Sequence, residues 1–195
     1  MAKKCAICKQ VSPTPMQKTC SYVCANEWLK SDAGIAAQER LKVAREKRAA
    51  KRERKRLKDR KDGIKTRSEW LREAQTEFNR FIRLRDHDEP CISCGTTADI
   101  QFAAGHYFSI GAAPELRFIE SNVHKQCNRK CNCELSGNLL NYRIGLIKKV
   151  GEAKVDWLEG KHEPKKYTIE QIKEIKTIYK IKANELQREI NRRVI

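Results

Sequence analysis

The sequence predicts a mostly helical α+β fold stapled by zinc, and three observations carry that expectation. Eight of the nine cysteines fall into four closely spaced pairs, which group as two sets of four. The segments outside those sets follow the 3.6-residue period of helices or are rich in helix-forming Ala, Arg, Lys, Glu and Leu. The stretch between the two pairs of the second set carries a central histidine, His106, with room for a hairpin. Hydrophobic residues make up 39% of the chain and charged residues 34%, so the core is small and metal staples would help it to fold. The N-terminus, MAKKCAICKQ, has no apolar stretch, so a cytoplasmic location is expected. In a reducing compartment, paired cysteines favour metal ligation over disulfides. No run approaches the ~20 apolar residues of a membrane span.

Residues 1–30 read as a four-cysteine zinc module: Cys5-x-x-Cys8, then Cys20-x-x-x-Cys24, with Pro13 and Pro15 suiting a turn between the two knuckles. Residues 31–67 form a basic arm. Its segment 40–61 holds 13 Lys or Arg among 22 residues and only three acidic ones. Apolar residues are too few there for a packed face, so a solvated helix is expected. Backbone phosphates are the natural counter-charge, and Arg45, Lys47, Arg48, Lys51, Arg52, Arg54, Lys55, Arg56 and Lys58 are the candidate DNA contacts. The formal net charge of +17 supports a polyanionic partner.

Asp62-Gly63 should break the arm, and Ser68 reads as the N-cap of a helix with Trp70, Leu71, Ala74, Phe78, Phe81 and Ile82 on its apolar stripe. Asp86–Pro90 reads as an acidic linker into Cys91. This opens a core domain over 68–163, which closes with two short helices parted near Gly151. Residues 164–195 form a last helix, with a capping box at Thr168 and Gln171 and a stripe of Ile172, Ile175, Tyr179 and Leu186. That stripe suits either its own domain or a second subunit.

The chemistry lies between Cys91 and Asn138. Cys91-x-x-Cys94 and Cys127-x-x-x-Cys131 are spaced to close on one tetrahedral Zn²⁺, with Cys133 as an alternative to Cys131. Eleven residues separate Cys94 from His106, a gap that could hold a hairpin, with Asp99 and Gly105 where turns would be wanted. Asn122 stands where its amide could pin the hairpin backbone. Asn132 follows Cys131 at the start of a plausible helix. A zinc staple, a central histidine and an Asn after the last Cys form the arrangement of a ββα-metal (HNH, His-Me finger) core. In such a site a histidine activates water and a divalent ion holds the scissile phosphate.

The segments PCISCGT at 90–96, AGHY at 104–107, APELRF at 113–118, NVHKQC at 122–127 and SGNLLNYR at 136–143 resemble the NinG (Rap) recombination proteins of lambdoid phages. RSEWLREAQ and the basic arm add to the likeness. The resemblance implies a phage-encoded, structure-specific endonuclease that cuts Holliday junctions and D-loops. The layout is also similar to endonuclease VII of the T-even phages. On that match His106 is the base, Asn132 binds Mg²⁺ or Mn²⁺, and Cys91, Cys94, Cys127 and Cys131 hold zinc; Asn122, by its place at the hairpin, is expected to join His106 and Asn132 in the active site. Gly105 stands where endonuclease VII has a metal-binding Asp, which leaves His124, Glu134 and Asn138 as options for the second ligand. Two structural Zn²⁺ ions, branched DNA, a homodimer, and phage or host recombination proteins as partners complete the expectation. The rival readings are a non-catalytic zinc DNA-binding protein or recombination mediator and, more remotely, a zinc-bearing transcription regulator.

Overall fold

The computed structural model describes residues 4–10 and 18–193. Pro13 and Pro15, expected in a turn, lie outside the described residues. The chain divides into two compact units, 1–64 and 65–195. The fold is mostly helical, and the described residues pair into one two-stranded sheet. No described helix is long and apolar enough to cross a membrane.

The first unit holds a cysteine cluster and two helices, α1 (Tyr22–Lys30) and α2 (Asp32–Ile64). Ser21 caps α1, its hydroxyl accepting the Cys24 N–H, so the cap and the last cysteine of the cluster are set by one turn. Ser31 joins the two helices by donating its hydroxyl to Trp28 O (2.6 Å) and accepting from Gly34 N. α2 then runs for 33 residues, about 50 Å at 1.5 Å per residue. Its basic residues are exposed. α2 passes through Asp62-Gly63 and ends one residue beyond them, close to the expected break. A glycine costs a helix only about 1 kcal/mol, and the chain continues to Ile64.

The second unit begins with α3 (Arg67–Arg85), whose N-cap is Thr66 rather than Ser68. Thr66 and Glu69 exchange side-chain and backbone hydrogen bonds in a full capping box, and Ser68 lies inside the helix. Two strands follow, β1 (Phe102–His106) and β2 (Val123–Cys127), and then α4 (Leu139–Val150), α5 (Glu152–Glu159) and α6 (Ile169–Arg193). Gly151, at positive φ, parts α4 from α5, and the Thr168–Gln171 capping box opens α6, both where the sequence puts them.

The apolar stripe of α6 packs back on α3. Phe78 and Tyr179 meet edge to face at 4.7 Å, in a core with Trp70, Ile82, Phe118 and Ile172. A second core gathers Tyr142, Leu146, Val155 and Leu158 beneath the hairpin connection. Glycine permits one close approach that matters here: a Cβ at Gly145 would overlap the Ile92 carbonyl, so α4 sits directly on the Cys91 turn.

β1 and β2 pair antiparallel, Phe102 with Cys127 and His106 with Val123. The hairpin is therefore not contained in the Cys94–His106 gap. That gap supplies one strand, and its partner arrives only after a 16-residue connection. Asp99 does lie in a bend, but Gly105 lies inside β1, opposite His124. The pairing links distant segments because Cys91 and Cys127 must converge on one cluster.

Candidate active site

Two sets of four sulfurs come together. In the first unit the Sγ atoms of Cys5, Cys8, Cys20 and Cys24 lie within 4.8 Å of one another, with Cys8 and Cys20 at 3.3 Å. In the second unit Cys91, Cys94, Cys127 and Cys131 do the same. Cys133 is exposed, 3.9 Å from Asn128 Oδ1 and outside the cluster, whose fourth sulfur is that of Cys131. The three-residue spacing is met by a π-helical turn over Asn128–Glu134, which lets Cys131 N–H donate to Cys127 Sγ (3.3 Å). Cys127 N–H donates likewise to Cys91 Sγ (3.3 Å). Burial disfavours a thiolate at Cys91, but peptide N–H donors from Cys127, Cys94 and Ser93 outweigh it and lower its pKa. Burial and the neighbouring sulfurs push Cys131 up to about 12. Four thiols crowded beside peptide donors fit a divalent soft cation, which would hold them all as thiolates.

The hairpin and the π-helical turn line one cleft of about 630 Å³. His106, the last residue of β1, lies in its wall, and Asn132, on the turn after Cys131, lies in it too. The His106 Nε2 is 3.2 Å from the Arg117 carbonyl. Burial lowers its pKa, against the opposing pull of the Arg117 and Ala104 carbonyls. Burial thus favours the uncharged ring, with a protonated nitrogen facing the Arg117 carbonyl. Asn132 donates its Nδ2 to Asn128 Oδ1 (3.4 Å).

Asn122 is fully buried and does what its position suggests. It donates to Phe108 O (3.0 Å) and Leu116 O (3.2 Å) and accepts from Phe108 N (2.8 Å), so one side chain ties both ends of the hairpin connection. It acts behind the cleft, holding the backbone that follows His106.

The three options for a second ion ligand are not brought to the cleft. His124 is buried, its Nδ1 3.0 Å from the Arg85 guanidinium and its Nε2 3.2 Å from Ser121 O; desolvation lowers its pKa against the opposing pull of Asp86. Asn138 donates to Cys131 Sγ (3.5 Å) and accepts from Asn141 (2.9 Å), so it serves the sulfur cluster. Glu134 is exposed and paired with Arg129 (2.9 Å). Gly105 is glycine for a steric reason. A Cβ there would overlap Gln126 Oε1, and Gln126 is buried, with its amide nitrogen bound to Ser93 (2.7 Å) and Gly137 (2.6 Å).

Two residues escape the sequence reading. Asn79, on α3, lines the cleft, with Ser109 and Ser136 adding hydroxyls. Asp86 is no linker residue. At 2% exposure it accepts from Arg85 (2.8 Å to each oxygen), from Lys149 (3.0 Å) and from Lys125 N–H (3.1 Å). One carboxylate thus joins α3, β2 and α4. Burial opposes its charge, but His124, Arg85 and Lys149 hold it well below the usual carboxylate range. Neither residue belongs to a spacing motif that would have marked it.

A family model, described as the bacteriophage lambda NinG protein, matches residues 1–189. The chain belongs to the NinG family. It is 49% identical over 128 residues to the protein named ninG of Escherichia phage lambda, covering 66% of this chain and 62% of that protein. It is also 49% identical over 128 residues to the ninG protein of Salmonella phage P22, and 50% over 117 residues to that of Enterobacteria phage H19B. The matches to these NinG proteins span less than two thirds of their length, 62% for phage lambda, 63% for P22 and 58% for H19B. No solved structure matches.

Proposed function

We propose that this protein is a metal-dependent DNA endonuclease of the ββα-metal type that cuts branched recombination intermediates, Holliday junctions and D-loops, in phage recombination. The observation that carries the reading is the convergence of His106 and Asn132 on one cleft, from a hairpin strand and from the turn after a four-cysteine cluster. His106 takes a proton from the attacking water, and its uncharged ring at neutral pH suits that task. Asn122 holds the backbone that aims His106. When bound, Mg²⁺ or Mn²⁺ would supply charge stabilisation for the phosphate and the departing 3′-oxygen. The donor set fits a cation that keeps most of its water and takes phosphate oxygens, since the cleft offers amides and hydroxyls. The two cysteine clusters hold structural Zn²⁺.

The exposed arm supplies affinity through phosphates, with Arg45, Lys47, Arg48, Lys51, Arg52, Arg54, Lys55, Arg56 and Lys58 as the contacts. Such contacts carry no sequence information, in keeping with recognition of DNA shape. Cutting both paired strands of a four-way junction calls for two sites, hence a homodimer. The protein would act in the cytoplasm of the bacterial host, alongside phage or host recombination proteins. A second reading, a non-catalytic zinc DNA-binding protein or recombination mediator, is favoured by one observation: the residues lining the cleft include no carboxylate. Purified protein and a synthetic four-way junction separate the two. Nicking that needs Mg²⁺ or Mn²⁺ and stops with EDTA supports the nuclease; junction binding without nicking under either ion supports the rival.

A further inference from the structure

The start of α4 carries an aliphatic ridge that neither core uses. Leu140 is 84% exposed, and Ile144, one turn later on the same face, is 54% exposed. The ridge has a definite place. Leu139 lines the cleft that holds His106 and Asn132, while Asn141 and Ile144 line a second cleft of about 610 Å³ together with Lys125, Lys148 and Lys149. Leu140 therefore stands between a cleft with the candidate catalytic pair and a cleft edged with lysine. Within that second cleft, which Glu89 also lines, Lys149 is paired with Asp86 and lies 3.9 Å from Glu89, and Lys125 donates to His87 O. Lys148 is exposed and continues the line of Leu140 and Ile144 at the next helical turn.

The ridge is also held stiffly. Ser136, Gly137 and Asn138, at φ 47°, 93° and 47°, turn the chain into α4 through three successive left-handed residues. Gly137 N–H donates to Cys131 O (2.9 Å), Gly137 O accepts from Gln126 (2.6 Å), and Asn138 N–H donates to Leu135 O (2.8 Å). On its other side α4 rests at Gly145 on the Ile92 carbonyl. Both supports belong to the loops of the second cysteine cluster, so the exposed leucine is presented on rigid backbone.

We propose that Leu140, backed by Ile144, is a wedge that enters the branch point of DNA, unstacks one base step and directs the two flanking arms into the two clefts. The proposal rests on the nuclease reading of the His106 cleft. An apolar side chain with cations on one side, here the lysines of the second cleft, is the chemistry that pries apart a base step whose phosphate is held beside it. The charge beside the ridge favours a nucleic acid over an apolar protein surface. Unstacking is costly in continuous duplex and cheap where stacking is already interrupted, so a wedge at this position selects branched over linear DNA.

The test uses full-length protein and a four-way junction carrying 2-aminopurine next to the branch point, in EDTA so that cutting is not needed. The wild-type protein should raise the fluorescence on binding, as the base leaves its stack. Leu140→Ala should abolish that rise and lower the preference for junction over linear duplex by about tenfold, the order expected for removing one wedge side chain. Linear-duplex binding, metal content and melting temperature should stay as they are, because Leu140 supports no core. Leu140→Met should restore both signals. An unchanged fluorescence rise and preference in Leu140→Ala would overturn the proposal. So would a dimer that becomes a monomer in Leu140→Ala without DNA, since the ridge would then be a subunit interface. A Leu140-dependent signal in a protein that nicks no junction in Mg²⁺ would sink the nuclease reading and leave the wedge. Nicking with an unaltered signal would sink the wedge alone.

Discussion

Replacing Asp86 tests how the candidate site is held. Its carboxylate accepts four hydrogen bonds from Arg85, Lys149 and the Lys125 backbone, and it is almost wholly buried. Asp86→Ala leaves a guanidinium and an ammonium, each about a quarter exposed, without their shared carboxylate, with Glu89 at 3.9 Å still near Lys149. Breaking a buried pair from one side costs about 3–5 kcal/mol. For a folding unit of this size that lowers Tm by roughly 10–20 °C. The pH dependence has a definite sign. The folded-state pKa is depressed, so the stabilisation is complete above the ordinary carboxylate value, 3.8, and is lost as pH falls below it. Urea denaturation of the wild-type protein and of Asp86→Asn, compared at a series of pH values, should show a constant gap from about pH 7 to 5 that narrows below about pH 4. A gap under about 1 kcal/mol at pH 7, or one that widens in acid, would refute the assignment of Asp86 as the tie between α3, β2 and α4.

Metal analysis of protein purified without chelators should give two Zn²⁺ per chain, matching the two sulfur clusters. Cys131→Ser should lose one ion, and Cys133→Ser should lose none. Gly105→Asp should destabilise by about 1–3 kcal/mol, measured by urea denaturation, because the new side chain has to displace the buried Gln126. Neutralising six basic residues of α2 should weaken binding to all DNA alike. It should also flatten the log–log salt dependence by about one unit for each phosphate that is no longer neutralised, as read by titration at several salt concentrations.

Much of this architecture is legible in the sequence because it is local. The helical stripe of α3, the Thr168 capping box, the break at Gly151 and the cysteine spacings each depend on residues close in sequence. The same logic puts Asn122 behind the hairpin backbone, where its three hydrogen bonds are found. What escapes is non-local. The pairing of β1 with β2 spans the 16-residue connection, whereas the Cys94–His106 gap is by itself long enough for a hairpin. Asp86 sits in a run of acidic residues that reads as a linker, and its burial follows only from the approach of Lys149, 63 residues away. His124 and Asn138 are ion ligands by residue type alone. One is sealed by Arg85 and Ser121, and the other is spent on Cys131. Gly105 shows the reverse case, a missing side chain that becomes intelligible once Gln126 lies opposite the strand.

The central claim is that His106 does chemistry in a cleft whose fold it does not hold together. Cleavage of a synthetic four-way junction by His106→Ala, run beside zinc content and junction affinity, tests it most directly. A general base lowers the barrier and adds little to ground-state binding, so cleavage should fall by about 10²–10⁴ while zinc, fold and affinity persist. In the wild-type protein any cleavage rate should fall in acid as His106 takes up a proton, at a pH below the ordinary histidine value of 6.5, because burial disfavours its charge. A His106→Ala protein that cut at the wild-type rate would place the chemistry elsewhere, and one that lost zinc or failed to fold would make His106 structural.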